Sequence, residues 1–140
     1  MFIPRISCLA LTAWVSMVLA VSGYAAGKVK TGEITGVDID RVFSMNQSGR
    51  LLLVDCRPAF YYLKGHINGA INLPLKKYDK LIRDRQKHLN DAVAARKIIV
   101  LYCQNVKCPD AYAVAKKLVK LGYSVSIYKG GWEEWNRAGL

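Results

Sequence analysis

From Leu51 to Tyr128, short continuous apolar runs alternate with longer stretches in which apolar residues recur every three or four positions. Leu51-Leu52-Leu53-Val54 is bounded by turn signals, and Ile98-Ile99-Val100-Leu101-Tyr102 has the same character, which predicts strands buried on both faces of a parallel sheet. Val125 to Tyr128 predicts a third such strand, and Ala70-Ile71-Asn72, between Gly69 and Pro74, a small one. Ala111, Val114, Ala115, Leu118 and Val119 lie on one face of a helix over Pro109 to Leu121, with Pro109 suited to the first helical position and Gly122 to the C-terminal cap. Tyr78 to Ala95 predicts a longer charged helix. Asp38 can cap a short one that carries Ile39, Val42 and Phe43 inward and ends at Asn46-Gln47-Ser48-Gly49. Pro58 opens a short aromatic segment, and Gly130-Gly131 leads into a last short helix with Trp132 and Trp135, which should close the core. Strands alternating with helices argue for one α/β domain over residues 37–140, with a mostly parallel central sheet covered by helices on both faces.

The N-terminus reads differently. Ile6 to Val21 is nearly unbroken apolar sequence, preceded by Arg5 and followed by the small residues around Ala25 and Gly27. This is the order of a secretory signal peptide over residues 1–25, cleaved near Ala25 to Gly27, with residues 26–36 forming a linker and a first short strand. The expected location is therefore periplasmic or secreted. An uncleaved membrane anchor through residues 6–21 is the alternative, although that run is short of the roughly 20 residues a bilayer asks for. Without the signal, about 115 residues remain, enough for one core without disulfide staples.

The chain carries a net charge of +11, much of it from lysines on helix faces such as Lys76, Lys80, Lys116 and Lys120. Solvated helix surfaces account for such a distribution; a surface for anionic substrates, an acidic protein partner or anionic lipid is the other reading. Nucleic acid is not expected, because no basic strand interleaved with aromatics is present. There is no Cys/His zinc spacing, so no metal and no other cofactor is expected. Cys56, Cys103 and Cys108 survive removal of the signal. An odd number does not describe a disulfide scaffold, so a thiol is left over or a pair forms and separates in use.

The junction richest in chemistry is Tyr102-Cys103-Gln104-Asn105-Val106-Lys107-Cys108-Pro109. A buried strand ends at Cys103 and a helix begins a few residues later. Ligands of open α/β sheets bind beyond the carboxyl ends of the strands. A loop followed by a helix N-terminus directs backbone N–H groups into a shared hollow, with about half a positive charge from the helix dipole. That environment favours the thiolate of a cysteine facing it and suits an anionic substrate.

Around this junction the chain resembles the rhodanese family. The resemblance rests on Asp55-Cys56-Arg57, on Gly65-His66-Ile67-Asn68-Gly69-Ala70-Ile71-Asn72-Leu73-Pro74 and on Val100-Leu101-Tyr102-Cys103. It continues in Leu121-Gly122-Tyr123, Gly130-Gly131-Trp132, Trp135 and Ala138-Gly139. In this order and spacing the motifs are specific, and they cover about three quarters of the chain. The resemblance implies sulfane-sulfur transfer. Cys103 would attack the outer sulfur of a donor such as thiosulfate and become a persulfide, and a thiol acceptor would then take the sulfur. The N–H groups of Gln104, Asn105, Val106, Lys107 and Cys108 would hold the anionic end of the donor, with Lys107 adding positive charge.

The chain also departs from the family. Where many members have Gly, Arg and Ser after the cysteine, Val106, Lys107 and Cys108 stand here. Val106 cannot take a positive φ without strain, and the loss of Arg removes a bidentate anion clamp, so a persulfide or polysulfide donor fits as well as thiosulfate. Cys108 could form a disulfide with Cys103, resolve a persulfide or only cap the helix. Asp55 and Arg57 should hold loops by charge and hydrogen bonds, or Arg57 should line the anion site. His66 reads as a hydrogen-bonded turn residue, His88 as exposed and Cys56 as buried and inert. Three functions compete: an exported sulfurtransferase acting through Cys103, a non-catalytic module that binds a partner protein, and a thiol redox protein using Cys103 and Cys108. A cysteine phosphatase or arsenate reductase would need an Arg that the loop lacks.

Overall fold

The computed structural model describes residues 32–140; the expected signal sequence and most of the linker lie outside them. Five strands form one sheet: β1 (Ile34–Val37), β2 (Leu51–Asp55), β3 (Ile71–Asn72), β4 (Ile98–Tyr102) and β5 (Val125–Tyr128). Their order is β1-β5-β4-β2-β3, and every pairing is parallel. The helices are α1 (Ile39–Gln47), α2 (Ala59–Lys64), α3 (Tyr78–Ala94), α4 (Asp110–Lys120) and α5 (Gly131–Arg137). The fold class is therefore the expected one.

Each strand of the centre is covered twice. Val54, Ile99, Leu101 and Val125 meet Leu89 of α3 and Val114 and Leu118 of α4 on one face. Leu51, Leu53, Val100 and Tyr128 meet Val42 and Met45 of α1 and Trp135 of α5 on the other. Burial on both faces explains why β2 and β4 read as unbroken apolar runs rather than alternating ones. Because all strands run the same way, the ends of β2, β4 and β5 open on one edge of the sheet, where the loops after them converge.

Helix boundaries follow the capping residues closely. Asp38 accepts a hydrogen bond from the Arg41 N–H at 2.8 Å and starts α1. At the end of α4, Gly122 takes φ +93° while its N–H bonds the Val119 carbonyl and the Tyr123 N–H bonds that of Leu118, the paired closure that ends a helix in a left-handed residue. Arg96 closes α3 in the same way at φ +55°. Pro109 stands one place earlier than expected, before the first helical residue Asp110. Phe43 is a correction: expected inward, it is exposed, and Met45 takes the core position. At about 100° per residue, Phe43 is rotated off the face that Val42 and Met45 share. It packs instead against the rim of Trp135, with ring centroids 6.2 Å apart.

Tyr78, at the start of α3, is buried, and its hydroxyl has no hydrogen-bond partner among the described residues. Burial, and then the negative charge of Asp79 and the neighbouring Tyr123, push its hydroxyl up from 10.0 to about 12. The folded state thus keeps a proton that the unfolded chain releases, so stability should fall as pH rises through the interval from 10.0 to about 12. Tyr78→Phe is expected to flatten that alkaline loss and to cost less than about 1 kcal/mol at neutral pH, since no paired group is orphaned. Urea unfolding at pH 7 and above pH 10 checks both.

Candidate active site

The open edge of the sheet is organised by a buried ion pair. Asp55, the last residue of β2, is wholly buried, and Arg57 is 2 % exposed. Arg57 Nε donates to both carboxylate oxygens at 3.1 Å, and Nη2 donates to Oδ2 at 2.7 Å. Tyr102 Oη, at the end of β4, donates to the same Oδ2 at 2.9 Å and accepts the Ile67 N–H at 3.1 Å. Burial, first of all, and then the charge of Asp55 raise the Tyr102 hydroxyl far above the ordinary phenol range, so it stays a donor. The other edge of the guanidinium reaches outward. Nη2 donates to the Gly65 carbonyl at 2.7 Å and Nη1 to Gln104 Oε1 at 3.3 Å. Trp132 closes over Arg57, with the guanidinium carbon 5.0 Å from the ring centroid. Asn72 Nδ2 completes the network by donating to the carbonyls of Asp55 and Arg57. Of the two roles expected for Arg57, the structure gives the one in which it holds loops; it does not stand on the rim of an anion site.

Cys103 follows β4 directly and is 3 % exposed. Its sulfur is joined to that of Cys108 in a disulfide across the loop, with the Cα atoms 6.1 Å apart. The third cysteine among the described residues, Cys56, is free and fully buried. Desolvation, then the charges of Asp55 and Asp110, raise its thiol well above the ordinary range, which fits the inert role read from sequence.

The loop between the paired cysteines is held from outside and inside. The first N–H groups of α5 grip its entry: Trp132 N–H donates to the Cys103 carbonyl and Glu133 N–H to that of Gln104, both at 2.9 Å. Gly131 permits this approach. It takes φ +65°, and a Cβ there would collide with the Cys103 carbonyl oxygen and lie 2.9 Å from the Gln104 carbonyl. Asn105 holds the turn. Its Oδ1 accepts the Lys107 N–H and its carbonyl accepts the Cys108 N–H, both at 3.1 Å, while its Nδ2 donates to Glu133 at 2.8 Å. This corrects the expected five-donor cradle: the N–H groups of Lys107 and Cys108 are already engaged within the loop. Val106 keeps a negative φ and projects outward, 70 % exposed, so the strain expected at that position does not arise.

A cavity of about 440 Å³ lies over the disulfide, bounded by Val106, Lys107, Ala111, Tyr112 and Lys129. The larger groove of about 790 Å³ runs beside β1 and β5 and contains no cysteine, so size does not mark the chemistry here. The cavity is floored by the first turn of α4, whose dipole favours a thiolate once the disulfide is reduced. Asp110 opposes that field: one of its carboxylate oxygens and the sulfurs of Cys103 and Cys108 all lie within 4.8 Å of one another. Among the described residues this is the one group with a metal-like set of donors, yet with its sulfurs bonded to each other neither offers the thiolate that a soft cation needs. The sequence assigns no part in the site to Asp110 or to the Gln104 side chain, and it reads Tyr102 and Trp132 only as motif and core residues. An acidic residue in a first helical turn and an aromatic in a core strand are ordinary there, and only the folded arrangement gives them a part. His66 is exposed, stacked on Tyr62 with ring centroids 3.8 Å apart and bonded to the Tyr62 carbonyl, as a turn residue should be, and His88 is exposed.

A parallel five-stranded sheet with a cysteine at the end of its central strand, backed by a buried Asp-Arg pair, is the arrangement of a rhodanese-like fold. The model of the rhodanese-like domain matches residues 39–138, and the chain belongs to that family. It is 36 % identical over 97 residues to the HTH-type transcriptional regulator Rv0324 of Mycobacterium tuberculosis, a match over 67 % of this chain but only 38 % of that protein. The chain therefore spans well under half of that relative's length. Among solved structures it is similar to the BH2092 protein of Bacillus halodurans, with 30 % identity and a TM-score of 0.64 over 75 % of this chain and 73 % of that one. The rhodanese-related protein of Thermoplasma volcanium, 20 % identical with a TM-score of 0.59 over 76 % of this chain and 94 % of that one, shares the fold.

Removing the guanidinium leaves Asp55 buried with no cation. Arg57→Met is expected to lower the unfolding free energy by about 3–5 kcal/mol. A loss below about 1 kcal/mol in urea titration would mean that the pair is not the anchor of this edge.

Proposed function

We propose that the protein is a sulfurtransferase that carries sulfane sulfur as a persulfide on Cys103, working in an exported, oxidising compartment. The observation that carries this reading is the position of Cys103: at the end of the central strand, against the first turn of α4, under a cavity of about 440 Å³. The reduced Cys103 thiolate attacks the outer sulfur of a donor persulfide, the donor's inner sulfur leaves as a thiolate, and the outer sulfur remains on Cys103. A thiol acceptor then attacks that outer sulfur and regenerates the cysteine. The Cys103–Cys108 disulfide supports an oxidising location, to which the apolar run from Ile6 to Val21 would deliver the chain. Lys107 and Lys129 at the cavity supply positive charge toward an anionic donor or an acidic acceptor protein.

Asp110 bears on the donor. A carboxylate within 4.8 Å of both sulfurs repels a dianion such as thiosulfate more than a persulfide, and no arginine in the loop offsets it. Thiol persulfides, which carry a single charge at the reacting end, are therefore the favoured donors.

Reduced protein exposed to glutathione persulfide, quenched by alkylation and weighed, is expected to carry one additional sulfur on the Cys103 peptide at the earliest times. Cys103→Ser should carry none and should consume donor only at the uncatalysed rate. Absence of sulfur on Cys103 at every time, with no donor consumed, would sink the mechanism. Asp110→Asn should raise the rate with thiosulfate about tenfold relative to glutathione persulfide, an effect that shrinks at high salt, as one unit charge about 5 Å away implies. An unchanged ratio would remove Asp110 from donor selection.

A further inference from the structure

We propose that Cys108 resolves the Cys103 persulfide, so that with a dithiol reductant the protein releases the sulfur as hydrosulfide; this rests on the sulfurtransferase reading above. A persulfide has two electrophilic sulfurs. An outside acceptor that takes the outer one receives sulfane sulfur. A thiolate that attacks the inner one displaces hydrosulfide. Of the two attacks only the second, made by Cys108, ends in the Cys103–Cys108 bond that the structure contains, the same bond that direct oxidation of the two thiols forms.

The geometry suits this attack. The Cα atoms of the pair are 6.1 Å apart, inside the range in which a disulfide closes without backbone movement. The loop that sets this separation is fixed by the Asn105 bonds to the N–H groups of Lys107 and Cys108 and by the grip of α5 on Cys103 and Gln104. Cys108 therefore faces the inner sulfur, while the cavity beside Val106, Lys107 and Tyr112 leaves room for the outer one. Cys56 is not an alternative resolver, since it is buried and its thiol is held protonated.

The steps balance. Cys103 thiolate and a donor persulfide give the Cys103 persulfide and the donor thiolate. Cys108 thiolate then bonds to the inner sulfur as the bond to the outer sulfur breaks, and the outer sulfur leaves as hydrosulfide with the bonding pair. The outer sulfur is reduced by two electrons, and the two cysteines are oxidised to the disulfide. A dithiol reductant restores them, ending as a disulfide itself. Its attack falls on Cys108, which is more exposed than Cys103, and expels the Cys103 thiolate toward the positive end of α4. The nucleophile is thereby the group set free.

The test uses the reduced protein with one equivalent of glutathione persulfide and no other thiol, following hydrosulfide release and the mass of the 103–108 region. The wild type is expected to release close to one hydrosulfide per chain while that region loses two hydrogens. Cys108→Ser and Cys108→Ala should instead hold the extra sulfur on Cys103 and release hydrosulfide only when dithiothreitol is added. Either variant that folds is sufficient. A wild-type persulfide as long-lived as that of the variants, or equal hydrosulfide release from all three, would overturn the resolving role while leaving sulfur transfer standing. Failure of Cys103 to take sulfur even in the Cys108 variants would overturn both readings.

Discussion

The bond from Arg57 to Asp55 holds the working edge of this molecule together. Two opposite charges out of water are costly unless each of their hydrogen-bonding positions is filled, and here the fillers come from separate parts of the chain. Asp55 ends one strand and Tyr102 ends its neighbour. Gly65 closes α2, Gln104 begins the loop beyond Cys103 and Trp132 belongs to the last helix. The charges are satisfied only when all five meet. Their contribution is to tie the ends of β2 and β4 to the loops above them.

That division also explains what could be read from residues in order. The strands and helices were legible because each carries its own signal: unbroken apolar runs for β2 and β4, the spaced face of α4, Asp38 at the head of α1. The exchange of Phe43 for Met45 went unseen because Phe43 falls in line with Ile39 and Met45 with Val42, and which of the two faces turns to the sheet is decided by packing against residues such as Trp135, ninety residues on. In the site, Cys103 was visible from its place between a strand and a helix. The fate of Arg57 was not, since a guanidinium two residues from an aspartate reads equally as a loop clamp or as a rim ligand. Asp110 was hidden for a different reason: an acid in a first turn satisfies the helix dipole and invites no further explanation.

The two signs of charge around the cysteines act at different depths. Lys107 and Lys129 stand on the cavity walls, where solvent weakens them but where they are met first. Asp110 lies against the sulfurs themselves. The two fields therefore oppose one another along the line from the cavity mouth to the sulfurs.

The grip of α5 on the loop is made through backbone, from N–H groups of Trp132 and Glu133 to the carbonyls of Cys103 and Gln104. Such bonds ignore side-chain identity. The carbonyls of Cys103 and Gln104 therefore stay anchored as long as a glycine remains at position 131 to admit the approach, while the turn beyond them depends on the Asn105 side chain. The few positions between the anchored cysteine and α4 are thus held by backbone at one end and by Asn105 in the middle, a clamp that leaves the outward-facing side chains of Val106 and Lys107 free of structural duty.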